Sequence, residues 1–533
     1  MSSSARQREQ GTNCVRGTLQ LLVAVSLSIW LSMLSLACRR DQPANAERTP
    51  GSETGQVSAS STRGNGEPEP SLEVSASNWL GREAFGIYID GQKAGYEIVD
   101  CTMDRSESAP RLKFLTISRR RMEVFGEIDE ATSTQVEWYS LDGDGPLLRY
   151  ESESIEDGQK SVVKAYLNGE RFEVERVVAG ESFRSVIDPP KVTLREVRRT
   201  EILFSQEPVI GTTWEEWGID ENAPDFNGKV RNTIVGKELS AGNAHGETLY
   251  VIEGFERGFL GRGFVRSDGT LVRAEVAGFE FRSEPEEVAR QLPDEAPDLT
   301  EMSLIRIDED LGEMPFELSE VVLRLSGLDG VQIPSSPVQQ VERTSPTEWR
   351  VRITRERVDL PPERLEATDR SRYLQSEVGI ESDSELIRSR AQMIVGSVSD
   401  PLAMACRIRR WVYENLEKED IVESDSALVI LKQRSGDCSE HTRLFVALAR
   451  AVGLPAREVT GLIYCNDGGP AFGWHAWAQV HDGKRWRGID PAWDLTDLTA
   501  GHLLMSTDSD DWSLGNSAGR LKIKVESFKR DEP

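Results

Sequence analysis

The sequence has few residues of the types that bind metals or form disulfides. Its 533 residues include five histidines and six cysteines. Cys14 and Cys38 belong to an N-terminal targeting segment, and an exported chain could pair the other four. Those four are Cys101, Cys406, Cys438 and Cys465. So few cysteines in so long a chain exclude a disulfide framework, and we expect neither a metal nor a cofactor.

Positive charge is also scarce. Lys and Arg number 63 against 90 Asp and Glu, which gives a net charge of -27. Because nucleic-acid binding needs clustered Lys and Arg to contact phosphates, this balance argues against a nucleic-acid partner and indicates an acidic surface. The chain is longer than the size at which a single hydrophobic core stops growing, so we expect two or more domains.

The sequence has one long apolar run, which argues against a multi-span membrane protein. Arginines precede residues 18–37, TLQLLVAVSLSIWLSMLSLA, and the run ends at Ala37–Cys38. This pattern is typical of a signal peptide or a membrane anchor. The Ala–Cys pair resembles a bacterial lipidation site, although Ser35 and Leu36 depart from that pattern, so lipidation and an uncleaved anchor both stay open. Residues 1–38 therefore predict an exported protein held at the membrane of the cell envelope.

The middle of the chain has a linker composition followed by β patterns. Residues 39–77 are rich in Ser, Gly, Pro, Glu and Thr and predict a disordered linker. Residues 78–300 alternate polar and apolar positions, which predicts a twisted antiparallel sheet of unknown role with His245 at its surface. Residues 301–360 continue the β pattern as a connecting segment that forms a small unit or joins the sheet. Three dipeptides are strong hairpin signals: Asp90–Gly91, Asn168–Gly169 and Asp268–Gly269.

Helical patterns follow residue 360. The spacing Ser382–Glu385 fits a capping box and predicts a helix. Asp400–Pro401 then supplies an N-cap and a proline at the first helical position of the next helix. We expect residues 361–510 to form a second domain and residues 511–533 to be a C-terminal tail.

Cys438 lies at the predicted start of a further helix. Asp437 and Glu440 fit a capping box, so Asp437 would be the N-cap and Cys438 the first helical residue. The helix is expected to reach Val452, with Gly453 as its C-cap. A cysteine in this position faces the positive end of the helix dipole, which favours the thiolate, and the N–H groups there can stabilise an oxyanion.

Two histidines are candidate partners of Cys438. His441 lies on the same helix, but a metal site at Cys438 and His441 would need further ligands that the spacing does not supply. We expect His441 to be a supporting or surface residue. His475 lies in a predicted strand, 474–481, that an Asp482–Gly483 turn connects to a returning strand, 484–490.

That turn predicts the register of the hairpin. A two-residue turn pairs His481 with Lys484 and, carried along both strands, His475 with Asp490. Directly opposed Cβ atoms lie about 4.5–5.5 Å apart, close enough for Asp490 to orient the imidazole. A cross-strand polar pair also arises by chance, but together with a cysteine at a helix start this pair favours thiol chemistry.

These residues resemble the motifs of the transglutaminase-like superfamily, whose core is papain-like. The resemblance covers residues 370–505. The matching positions are Gly436, Cys438, Leu454–Pro455–Ala456–Arg457, Gly461, His475–Ala476–Trp477, Trp486 and Asp490–Pro491. It implies a papain-like domain of helices packed on an antiparallel sheet. With the antiparallel β-rich domain that the alternating pattern predicts before it, the expected fold class is α+β.

The resemblance also implies a thiol enzyme that acts on peptide or carboxamide bonds through a thioester. Cys438 would be the nucleophile and the oxyanion donor through its N–H group, His475 the general base and acid, and Asp490 the residue that orients His475. Trp474 and Trp477 would shape the cleft for a protein or peptide substrate, although tryptophans in such positions also pack within sheets.

Several alternatives stay open. Water would complete a hydrolysis and an amine would complete a transfer, whereas a non-catalytic envelope scaffold could use the same fold to bind a peptide. Cys465 precedes a glycine-rich loop that could cover the site. A disulfide between Cys465 and Cys438 would silence the thiol, and a plain loop thiol would not.

Overall fold

The computed structural model describes Leu72, Ala76 and residues 79–531, with gaps. The gaps are 108, 125–126, 157–158, 179, 205–207, 222, 224, 240–246, 257–258, 300–303, 313–317, 329–330, 357–359, 419–425, 467, 508–513, 515–516 and 518–519. The targeting segment 1–38, most of the linker and His245 lie outside the described residues. Among the described residues, no helix is long and apolar enough to cross a membrane.

The predicted antiparallel sheet is confirmed as one sheet of fourteen strands. Each strand pairs with the next along the chain from β1 to β8 and from β9 to β14, and β1 also pairs with β14. The edges are therefore β8 and β9. The strands are β1 (Gly81–Ile89), β2 (Gln92–Asp104), β3 (Arg111–Val124), β4 (Glu127–Ser140), β5 (Leu147–Glu156), β6 (Gln159–Asn168), β7 (Arg171–Val178), β8 (Glu181–Ile187), β9 (Thr213–Ile219), β10 (Asn227–Leu239), β11 (Thr248–Glu256), β12 (Phe259–Val265), β13 (Leu271–Val276) and β14 (Phe279–Ser283).

The predicted hairpin signals lie at turns of this sheet. Asp90 and Gly91 have φ of 48° and 79° and close a two-residue turn between β1 and β2. The other two signals lie at the β6–β7 and β12–β13 turns. Within the described part of the chain, three short helices with bounded ranges accompany the sheet: α1 (Leu194–Val197) and α2 (Arg199–Phe204) between β8 and β9, and α3 (Glu286–Ala289) after β14.

The predicted linker 39–77 ends earlier than expected. Leu72 and Ala76 are buried and belong to the same apolar cluster as Trp79 and Phe114 of the large sheet. Their side chains pack because isolated apolar residues in a polar segment can still reach an apolar surface of the sheet. The prediction of a linker is therefore wrong at its C-terminal end.

A second sheet of four strands, β17-β18-β16-β26, follows in the chain. Residues 318–354 of the connecting segment thus form a small unit with the C-terminus, residues 304–306 pair with a strand of the third sheet, and none of the segment's described strands joins the large sheet. The predicted tail 511–533 is wrong for residues 522–530, which form β26 because Ile523 and Val525 are buried and alternate with exposed lysines. The elements here are β15 (Leu304–Arg306), β16 (Leu318–Ser326), β17 (Gln339–Ser345), β18 (Glu348–Thr354) and β26 (Lys522–Arg530).

Helices pack beside a third, six-stranded sheet. The strand order is β24-β23-β22-β21-β25, and β15 also pairs with β22. The predicted capping box at Ser382 is wrong, because Ser384 is the N-cap of its helix and makes no side-chain cap bond, whereas Asp400 caps the next helix as predicted. The helices are α4 (Ala367–Arg372), α5 (Glu385–Val395), α6 (Pro401–Asn415), α7 (Ala427–Gln433) and α8 (Cys438–Ala451). The strands that join β15 in this sheet are β21 (Ala456–Cys465), β22 (Ala471–His481), β23 (Trp486–Asp490), β24 (Leu495–Thr496) and β25 (His502–Ser506). Two short strands, β19 (Glu417–Lys418) and β20 (Ser435–Gly436), pair with each other in parallel.

Two kinds of contact tie the third sheet to the rest of the protein. One apolar cluster contains Phe281 of the large sheet, Val351 of the second sheet and Trp474 of the third. In addition, the buried Gln339 side chain donates to the carbonyl of Leu504 at 2.7 Å and accepts from its N–H at 2.9 Å. These contacts fix the position of β25 relative to β17.

Candidate active site

Cys438 is the first residue of α8, as predicted. Asp437 has extended backbone angles and its Oδ1 accepts the N–H of Ser439 at 2.6 Å, while Glu440 Oε2 accepts the N–H of Asp437 at 2.8 Å. This reciprocal pair is a capping box. The Cys438 side chain therefore lies at the positive end of the helix dipole, where negative charge on sulfur is favoured.

The start of α8 lies at a gap between the two strands that pair with one edge of β22. One edge of β22 pairs with β21 along most of its length, whereas the other pairs with β15 at residues 471–473 and with β23 at 478–481. Between these partners the carbonyl of Ala476 accepts a hydrogen bond from Thr442 of α8 at 3.3 Å. Cys438 packs here with Ala476 and Trp493, beside the strand position of His475.

The hairpin brings His475 and Asp490 together through a register that differs from the predicted one. Asp482 Oδ1 accepts the N–H groups of Lys484 and Arg485, so the turn has four residues and not two. His481 consequently pairs with Trp486, and the direct pairing of His475 with Asp490 is wrong by two positions. The two side chains nevertheless meet, because a shift of two residues keeps alternate side chains on the same face.

His475 contacts both of the other predicted residues. His475 Nε2 lies 2.7 Å from Asp490 Oδ2, and both side chains are fully buried. Since Nε2 is occupied by Asp490, Nδ1 is the ring nitrogen left for Cys438, with which His475 also forms a side-chain hydrogen bond. Asp490 Oδ1 accepts the N–H groups of Ala492 and Trp493 at 2.9 and 3.1 Å.

The electrostatics of this site favour an ionised Asp490 and a protonated His475. Burial acts to lower the pKa of His475, but the charges of Asp490 and Cys438 outweigh burial and raise this pKa to about 10. Burial acts in the opposite sense on Asp490, but the neighbouring His475 and His502 hold the pKa of this carboxyl well below its usual range. The arrangement therefore favours a negative sulfur beside a protonated His475.

His441 is buried, so the surface alternative for this residue is wrong. Its Nδ1 donates to the carbonyl of Asp437 at 2.6 Å, at the first turn of α8. Burial and the nearby Lys418 charge lower the pKa of His441 to about 4. His441 is therefore neutral and holds the start of α8, which agrees with the predicted supporting role.

The two predicted substrate tryptophans occupy different surroundings. Trp474 is 1% exposed and belongs to the large apolar cluster with Phe472 and Leu503, so its side chain packs in the core. Trp477 is equally buried, and its ring stacks on His475 at 6.0 Å between centroids. The structure thus shows core packing for Trp474 and packing against His475 for Trp477, and a substrate contact of either side chain stays a prediction.

Cys465 lies away from Cys438. The four described cysteines form no disulfide, and Cys465 clusters with Leu304 and Ala471 at the far end of β22. Arg306 donates to the carbonyls of Gly468 and Gly469 at 3.2 and 3.4 Å, so the loop after Cys465 is held by the strand beside it. Cys465 is therefore a thiol that forms no disulfide, as the second alternative expects, but it is the buried last residue of β21 and does not lie in the loop.

Sequence reasoning missed His502. Its Nε2 lies 3.3 Å from Asp490 Oδ2, the oxygen that His475 contacts. Three atoms that could bind a cation, one each from His475, Asp490 and His502, lie within 4.8 Å of one another. These side chains already form hydrogen bonds with one another. The sequence signal was weak, because β25 reaches this place by pairing with β21 across about forty residues of intervening chain.

A cavity of about 170 Å³ lies behind His502 and Trp477. Polar side chains from the third sheet, including Arg457 and Gln479, face it together with Glu356. Burial raises the pKa of Glu356 to about 7 although the Arg487 charge acts to lower it. Neither Cys438 nor His475 lines this cavity.

One family model matches part of the chain. Residues 388–491 match the family model of the transglutaminase-like superfamily core. An uncharacterized protein of Haemophilus influenzae is 32% identical over 111 residues, which are 19% of this chain and 29% of that protein. The chain thus spans less than a third of that relative's length.

Two solved structures are similar in part. A proposed cysteine protease from Cytophaga hutchinsonii is 17% identical, with a TM-score of 0.26, and the match covers 40% of this chain and 86% of that chain. A proposed protease from Parabacteroides distasonis is 12% identical, with a TM-score of 0.16, over 78% of this chain and 70% of that chain. From the family match and the motif positions, residues 388–491 of this chain are a transglutaminase-like core domain.

Proposed function

We propose that this protein is a cysteine-dependent enzyme that acts on peptide or carboxamide bonds with Cys438, His475 and Asp490. The observation that carries the proposal is the hydrogen-bonded chain from Cys438 through His475 to Asp490 at the start of a capped helix. Such an arrangement makes a thiol nucleophilic and supplies a proton donor beside it.

The proposed reaction has two halves. The Cys438 thiolate attacks the carbonyl carbon, a carbon–sulfur bond forms, and the carbon–nitrogen bond breaks as His475 gives its proton to the departing amine. A thioester and a free amine result. Water or a second amine then attacks the thioester carbon, His475 takes the proton of that nucleophile, and the sulfur leaves as thiolate. The N–H of Cys438, at the helix start, is the proposed oxyanion donor.

Water as the second nucleophile gives a peptidase or amidase, and an amine gives a transferase. We favour hydrolysis, as the resemblance to bacterial members of the superfamily suggests. The proposed substrate is a protein or peptide of the cell envelope, because residues 1–38 have the pattern of an export signal or anchor.

A non-catalytic scaffold is the second candidate, and one observation favours it. Cys438 is 1% exposed and His475 is fully buried, so a substrate carbonyl reaches the sulfur only after surrounding groups move. In the scaffold alternative, the same fold binds a peptide without forming a thioester.

Mass spectrometry of the protein mixed with glutamine-containing peptides and a primary amine distinguishes these candidates. The enzyme proposal expects an acyl group on Cys438, product formation from water or amine, and loss of both in Cys438→Ala. The scaffold alternative expects peptide binding that is equal in wild type and Cys438→Ala, with no acyl group on the sulfur. Cys406→Ala is the matched control, since this partly exposed cysteine lies on α6, with its Sγ 3.7 Å from Thr496 Oγ1.

A further inference from the structure

We propose that His502 is a positioning residue for Asp490 and His475, so that four side chains and not three set the state of Cys438. This inference rests on the proposed function. His502 is the first residue of β25 and is 4% exposed. Its Nε2 lies 3.3 Å from Asp490 Oδ2, the same oxygen that lies 2.7 Å from His475 Nε2.

The hydrogen positions on these rings follow from the charge of Asp490. The pKa of Asp490 is held well below its usual range, so the side chain is a carboxylate and can only accept hydrogen bonds. Both imidazoles that contact Oδ2 must therefore carry hydrogen on Nε2 and donate it. The carboxylate receives four N–H groups in all, two from the backbone of Ala492 and Trp493 and two from the imidazoles.

The other nitrogen of His502 completes the assignment. Burial lowers the pKa of His502, so the ring is neutral, and with hydrogen on Nε2 its Nδ1 carries a lone pair. Thr499 Oγ1 lies 3.4 Å from this Nδ1 and can donate its hydroxyl hydrogen, while it accepts the N–H of Gly501 at 3.2 Å. The Thr499 hydroxyl can therefore pair with the tautomer in which His502 donates to Asp490, whereas the Thr499 backbone carbonyl acts in the opposite sense and raises the pKa of His502.

Neighbouring elements hold the His502 ring in place. The ring meets Trp477 edge-on, with centroids 5.5 Å apart and planes at 79°. Two residues further along β25, the backbone of Leu504 is held by the side chain of Gln339. The titratable groups that act on His502 are Asp490, at the end of β23, and His475, on β22.

The consequence for Cys438 runs through Asp490. A second donor on Oδ2 keeps this oxygen ionised and directed at His475, and His475 in turn presents Nδ1 to the sulfur. Without the His502 donor, Asp490 has one contact fewer at Oδ2 and is easier to rotate or protonate. The pairing of the sulfur with protonated His475 then weakens, and the thiolate forms at higher pH.

The test is the pH profile of Cys438 alkylation by iodoacetamide in the full chain, followed by mass spectrometry. His502→Leu removes the donor, whereas His502→Gln places an amide N–H near the former Nε2. His481→Gln is the control, because His481 lies at the other end of β22 and its Nε2 contacts the carbonyl of Glu363 at 3.1 Å. We expect His502→Leu to lower the rate at pH 6 about tenfold and to shift the profile to higher pH, His502→Gln to recover most of the rate, and His481→Gln to keep the wild-type profile.

Two results would overturn the inference. One is a wild-type profile in His502→Leu, and the other is an equal loss in His502→Leu and His502→Gln at every pH, which indicates packing alone. If His502→Leu does not fold, as judged by circular dichroism, the ¹⁵N shifts of wild-type His502 decide. Hydrogen on Nε2 and a bare Nδ1 between pH 6 and 8 supports the inference, and hydrogen on Nδ1 contradicts it.

Failure of the proposed function gives a different result. If wild-type Cys438 reacts no faster than Cys406 and His475→Ala changes nothing, the thiol is not activated and both proposals fail. If wild-type Cys438 is activated and His475→Ala loses that activation, while His502→Leu keeps the wild-type profile, the role of His502 alone fails.

Discussion

His475 and Asp490 are joined by a 2.7 Å hydrogen bond although they are not opposite each other in their hairpin. Extending the observed register by one position would bring Asp490 opposite Trp477. Asp490 therefore reaches His475 along the diagonal of the hairpin, a distance that long side chains can cover. The Asp490 carboxylate also accepts two N–H groups of the turn that follows it. These hydrogen bonds hold the carboxylate in place independently of its contact with the His475 imidazole.

The raised pKa of His475 predicts the alkaline limit of the reaction. In the proposed mechanism His475 donates a proton to the departing amine, so the first half-reaction should persist through neutral pH and decline as pH rises through about 10. Asp490→Asn removes the charge that raises this pKa, so the decline should move to lower pH by more than one unit. The pH dependence of turnover in both proteins measures the shift, and an unchanged alkaline limit in Asp490→Asn contradicts the assignment.

Gly436→Ala should slow Cys438 alkylation about tenfold by disturbing the helix start. Gly436 has a φ of 146°, and an added Cβ would lie 2.4 Å from Glu440 Cβ, so the Glu440 side chain must move away from the N–H of Asp437. Loss of a cap of this kind lowers the free energy of unfolding by about 1 kcal/mol. Gly236→Ala is the control, since no atom lies within 4 Å of its Cβ position. A wild-type alkylation rate in Gly436→Ala would show that the capping box does not control the thiol.

The two neighbouring tryptophans should respond differently to replacement by phenylalanine. Trp474→Phe removes volume from the large apolar cluster and should lower the free energy of unfolding by about 1 kcal/mol or more, with no change in the pH profile of Cys438. Trp477→Phe alters the ring that stacks on His475 and should change that profile. Denaturant titration and alkylation separate the two effects, and the opposite pattern would refute the placement of these side chains.

Gln339→Leu should destabilise the protein through β25. The substitution leaves the N–H and carbonyl of Leu504 without their Gln339 partners, at a cost of about 1–3 kcal/mol for each buried group. Gln340→Leu is the matched control because Gln340 is the exposed neighbour on the same strand. Equal unfolding free energies for the two variants would show that the second sheet does not support β25.

The features that the sequence predicts well are local in the chain. Asp437, Cys438 and Glu440 lie within one turn, and the capping pattern alone places the cysteine at the helix start. His475 and Asp490 belong to one hairpin, so they meet even though the turn is two residues longer than predicted. The turn is longer because the Asp482 carboxylate accepts two backbone N–H groups. A turn prediction from the Asp–Gly dipeptide alone does not include this contact.

The features that the sequence does not predict depend on long-range pairing. His502 reaches Asp490 because β25 pairs with β21, and Gln339 reaches Leu504 across 165 residues of chain. The strand at 522–530 has a clear alternating pattern, but its partner β16 lies some two hundred residues earlier. Local periodicity fixes the type of such elements and leaves their neighbours undetermined.

The central claim is tested most directly by the relative alkylation rates of Cys438 and Cys406 at pH 6 in wild type and His475→Ala. Cys438 is 1% exposed and Cys406 is more accessible, so accessibility alone makes Cys406 the faster thiol. Activation by His475 and the helix start predicts that Cys438 reacts faster than Cys406 in wild type and loses that advantage in His475→Ala. A Cys438 that reacts more slowly than Cys406 in both proteins would contradict the account.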